Sequence, residues 1–65
     1  MDNDRLLTYL ISEITKLRSE QAAFIASGRA TDYADYRHTC GVIRGLTHAE
    51  SIVRDLVQRL EKIDE

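Results

Sequence analysis

An all-α fold, an antiparallel two-helix hairpin with a longer second helix, is what this 65-residue sequence predicts. Three observations lead there. The chain contains no proline, so nothing forces a helix to break. Apolar residues recur in steps of three and four over two long stretches, the spacing that places side chains on one face of a helix. Between these stretches stands Ser27-Gly28, followed by Thr31-Asp32: a stop signal and then a start signal about four residues apart.

The first helix is expected over about residues 4–27, capped by Asn3 or Asp4. Leu7, Leu10, Ile14, Leu17, Gln21 and Phe24 form its seam, and Leu6, Ile11, Ala22 and Ile25 widen the stripe. Gly28 is the natural left-handed residue to end it, with a turn at 28–31. A connection this short joins antiparallel neighbours.

The second helix is expected over about residues 32–63, capped by Thr31 or Asp32. Its seam is Val42, Leu46, Ala49, Val53, Leu56, Leu60 and Ile63, with Tyr33, Tyr36, Cys40 and Ile43 in a second row beside it. Glu50 with Arg54 and Asp55 with Arg59 are i,i+4 pairs in the favourable order. Gly41 and Gly45 are the unusual feature, since each costs about 1 kcal/mol relative to alanine within a helix. With Ala49 they are read as a helix–helix close contact, where the absence of side chains lets another helix approach. The competing fold is a three-helix bundle in which the second helix breaks near Gly41–Gly45, because Thr47-His48-Ala49-Glu50 resembles a capping box.

Composition bounds the function. A single helical hairpin domain over 1–65 is small enough to be marginal alone. One cysteine permits no internal disulfide, and a net charge of −2 disfavours nucleic acid and anionic membranes as partners. The apolar run Ala22 to Ala26 is far short of the roughly 20 residues of a membrane span. Synthesis and use in a cytosolic setting are expected, as the acidic N-terminus lacks a signal peptide's pattern.

No catalytic constellation emerges. Cys40 lies among Arg37, His38, Arg44 and His48, but the base that a nucleophilic thiol requires is two turns away at His48. His38 and Cys40 point to different sides of a helix and cannot chelate a metal together. No enzyme activity, cofactor or metal is therefore expected. The candidate partner-binding residues are Tyr33 and Tyr36, whose rings can anchor on a surface, and Arg37 and Arg44, one heptad apart. Stripes wider than a two-helix seam further predict protein partners: self-association, docking on a larger protein, or both. Leu6, Ile11, Ile25, Tyr33, Tyr36, Val57 and Ile63 are the residues expected to engage them.

The run Asp32-Tyr33-Ala34-Asp35-Tyr36-Arg37-His38-Thr39-Cys40-Gly41-Val42-Ile43-Arg44-Gly45-Leu46 resembles a pattern, roughly D-Y-x-x-Y-R-x-x-C-G-x-I-R-G-L, in small proteins of tailed bacteriophages. The leucine-rich helix ending in Phe24-Ile25-Ala26-Ser27-Gly28 is similar too, so the resemblance covers most of the chain. It implies a virion structural role, with the protein made in the host cytoplasm and located in the particle, and assigns no individual site residue. The alternative function is a small phage-encoded regulatory binder that inhibits a host protein, or a nucleic-acid-associated hairpin.

Overall fold

The computed structural model describes residues 3–63, with side chains from 4 to 62. It is an antiparallel hairpin of α1 (Asn3–Ala26) and α2 (Tyr33–Ile63), with no strand among the described residues. The rod measures 50 × 17 × 14 Å.

The turn is built as its residues dictate. Gly28 takes φ +74°, and its N–H donates to the Ile25 carbonyl (3.1 Å) while that of Arg29 donates to Phe24 (3.3 Å). These two bonds are the Schellman closure of a helix C-terminus. Asp32 caps α2: its carboxylate accepts the Asp35 N–H at 2.8 Å, and Asp35 in return accepts the Thr31 N–H at 3.1 Å.

The second helix does not break. It runs unbroken through Gly41 and Gly45, which excludes the three-helix bundle. The apparent capping residue Thr47 turns its hydroxyl backwards and donates to the Ile43 carbonyl at 2.9 Å, a mid-helix use of threonine.

The seam differs from the expected one. In α1 the inward positions are Leu7, Ile11, Ile14, Arg18, Gln21 and Ile25, with Phe24 half-buried beside them as expected, while Leu10 and Leu17 are 44% and 47% exposed. Ile11 and Ile25, expected to face a partner, turn inward instead. In α2, Val42, Leu46, Ala49, Val53 and Leu60 line the seam as expected, but Val57 replaces Leu56, which is 44% exposed. The Ile63 side chain lies outside the described residues. In this rotation of α1, Arg18 meets Glu50, a half-buried carboxylate on α2, across the interface at 2.5 Å.

Gly41 and Gly45 are likewise not a contact between α1 and α2. Both are exposed, and a Cβ added at either would meet nothing within 4 Å. Val42 and Leu46 take the inward positions beside them, which turns the glycines onto the flank of α2. Ala49, the third residue of that expected contact, is half-buried.

The two faces of the hairpin differ in polarity. One carries the cross-helix polar group, in which Glu50 accepts hydrogen bonds from Thr15 (3.5 Å), Arg18 and Arg54 (2.8 Å). On the other, helical geometry aligns Leu6, Leu10 and Leu17 of α1 beside Leu56, Ile52, Gly45 and Gly41 of α2. A shallow groove lined by Leu6, Leu7, Leu56 and Leu60 joins the two stripes.

Candidate docking site at the head of the second helix

The Asp32 cap fixes where α2 begins and therefore which side chains share its first turns. Tyr33, Tyr36 and Arg37 stand at i, i+3 and i+4, the spacing of neighbours on a helix surface. The rings of Tyr33 and Tyr36 stack with centroids 6.4 Å apart and planes inclined by 26°. The Arg37 guanidinium lies 5.9 Å from the centre of the Tyr33 ring, within cation–π range. Tyr33 is 71% exposed, so this platform faces solvent rather than the other helix.

Cys40 is half-buried one turn after Tyr36; a hydrogen bond between their side chains, with the Coulombic effect of Cys40 and some burial, raises the Tyr36 phenol above its ordinary pKa. Arg44 is exposed on the outward side, two turns beyond Arg37. The structure therefore brings Tyr33, Tyr36 and Arg37 together and leaves Arg44 as a separate cation further along the same helix.

Cys40 and His48 are eight residues apart, about 12 Å along the helix, too far for proton transfer between them. Among the described residues no group of three or more His, Cys, Asp or Glu side chains is placed to hold a metal ion. No helix among them is long and apolar enough to cross a membrane.

Two residues escaped the sequence reading. Thr39 is 3% exposed and donates its hydroxyl to the Asp35 carbonyl at 3.0 Å, so a small polar side chain fills the seam near the turn. Arg18 crosses to Glu50, although only the local Glu50–Arg54 pair is visible from spacing. The available signal was Arg18's position four residues after Ile14, on a track shared with Ile25. Comparison of the chain with protein-family models, with curated proteins and with solved structures finds no match.

Proposed function

We propose that the chain is a non-catalytic structural protein of a tailed-phage particle, a hairpin that docks by the head of α2 on shell, portal or tail proteins during assembly. The observation that carries the docking is the solvent-facing Tyr33–Tyr36–Arg37 platform. Tyrosine and arginine dominate the energetically important centres of protein interfaces. Here they are already stacked before any partner arrives, which reduces the ordering cost of binding. Arg44 extends the cationic contact along the helix and suits an acidic partner surface. The virion assignment rests on the resemblance of the run Asp32 to Leu46, which contains all four of these residues.

Mass spectrometry of intact purified particles tests the assignment. The chain is expected there in many copies, and its absence would end the virion reading. In that case a host protein bound by the parent chain, and lost with Tyr33→Ala, would identify an inhibitory binder instead. Within the virion reading, Tyr33→Ala or Arg37→Ala should weaken docking about tenfold or more while helicity by circular dichroism stays unchanged.

A further inference from the structure

The hairpin leaves one broad face uncovered, on which Leu6, Leu10, Leu17, Ile52 and Leu56 are each 44–70% exposed. A folded monomer of 7.4 kDa is expected to expose about 4,200 Å². This chain exposes 5272 Å². The excess, about 1,100 Å² over the whole rod, leaves room for the about 800 Å² that each partner of a standard interface buries. The uncovered face is also made of two unlike halves. The α1 half is a ridge of Leu10, Leu17 and the half-buried Phe24, spaced by seven; the α2 half is a trough of Gly41 and Gly45, with the half-buried Ala49 at its inner edge, ending in Ile52 and Leu56.

The cross-helix bond from Thr15 to Glu50 sets the levels of the two helices. Counting outward from it, Leu17 is level with His48, Phe24 with Gly41 and Leu10 with Asp55. A two-fold axis parallel to the helices preserves these levels, so a second copy laid face to face cannot slide. Each ridge residue then stands over a four-residue hole of the other copy's α2. Leu17 meets Gly45, His48, Ala49 and Ile52. Phe24 meets the hole around Gly41 and Gly45, and Leu10 the one around Ile52 and Leu56. Such knobs in holes are how helices pack closely.

Charge selects the same arrangement. The edge of α1 bordering the face carries Glu13 and Glu20, whereas that of α2 carries His38, His48 and the ion pair of Arg59 with Asp55 (3.1 Å). Placing α1 on α2 of the other copy keeps the glutamates of the two copies apart, whereas α1 on α1 sets them together.

We infer that the occupant of this face is a second copy of the chain, forming a four-helix bundle in which the leucine ridge of each copy fills the glycine trough of the other. This accounts for Gly41 and Gly45, which nothing within one hairpin explains. The inference is independent of the virion reading and stands or falls on its own measurement.

Sedimentation equilibrium of the full chain tests it, with Gly45→Leu and Ser51→Leu as a matched pair. Both positions are exposed in the hairpin, and a Cβ at residue 45 meets nothing within 4 Å. Gly45→Leu fills the hole meant for Leu17, while Ser51 lies away from the face. The parent and Ser51→Leu should be dimers at about 50 µM, with melting midpoints that rise with concentration. Gly45→Leu should weaken dimerisation at least about tenfold, whether the separated chains remain helical or unfold. A monomeric parent whose melting is independent of concentration, an oligomer larger than a dimer, or an undiminished dimer in Gly45→Leu would overturn the inference.

Discussion

Glu50 concentrates more of the cross-helix chemistry than any other single residue. One carboxylate accepts from Thr15 and Arg18 on α1 and from Arg54 one turn along its own helix. The Arg54 hydrogen bond first, and the nearby Arg18 charge after it, hold this carboxyl below the ordinary glutamate value of 4.5, against the opposing effect of burial. A depressed carboxyl pKa stabilises the fold above the unfolded value, and that contribution is lost as pH falls through the folded one. The thermal midpoint of the parent should therefore drop between about pH 5 and pH 3. In Glu50→Gln the drop over that window should be visibly shallower; an identical slope would mean the carboxylate is not coupled to folding. The partnership with Arg54 was legible because both residues lie on one helix at a fixed spacing. Arg18 was not, because reaching across depends on how α1 is rotated about its axis, a tertiary quantity with no local sequence signature.

At the scale of the elements, that rotation separates what could be read from what could not. Apolar residues cover so much of α1 that two seams fit its pattern. Both contain Leu7, Ile14 and Gln21; one adds Leu10, Leu17 and Phe24, the other Ile11, Arg18 and Ile25. Hydrophobicity favours the first. The fold uses the second and keeps only Phe24 half-buried from the first: Arg18 meets Glu50, and Leu10 and Leu17 are left outside. Ile14, common to both, is 9% exposed, and Ile14→Ala should cost about 2–4 kcal/mol in chemical denaturation. The turn was more legible because its signals are backbone requirements that tertiary packing does not override. Gly28 holds a φ of +74°, where an added Cβ is strained. Gly28→Ala should cost about 1 kcal/mol, and Asp32→Ala about the same through loss of the cap. A neutral result for both would show that the caps do not fix the connection. The glycines of α2 stand out in the sequence for their helical cost, but a helical pattern shows which residues share a face and not what lies opposite, and nothing lies within 4 Å of a Cβ added at Gly41 or Gly45.

For the molecule as a whole, the rod shape decides the energetics. Two helices side by side enclose little: among the described residues only Ile14 and Thr39 are buried, and no side chain is fully so. A hairpin this thin has small stability of its own, so its folding and its associations are coupled. The antiparallel course also has a directional consequence. Asn3 and Ile63 lie at one pole of the rod, and the Tyr33–Tyr36–Arg37 platform lies towards the other. In the proposed pair, a two-fold axis parallel to the helices keeps both platforms at that same pole and turns them to opposite sides. Such a pair would be a two-pronged bridge, and repeated partner sites standing on both sides of it would be held by both prongs at once. Once one prong is engaged the second binds at a raised effective concentration, so attachment gains strength without any new contact. Separating the prongs by Gly45→Leu should accordingly weaken attachment to an arrayed partner far more than to a single isolated copy of it, a contrast that surface plasmon resonance at high and low partner density would display.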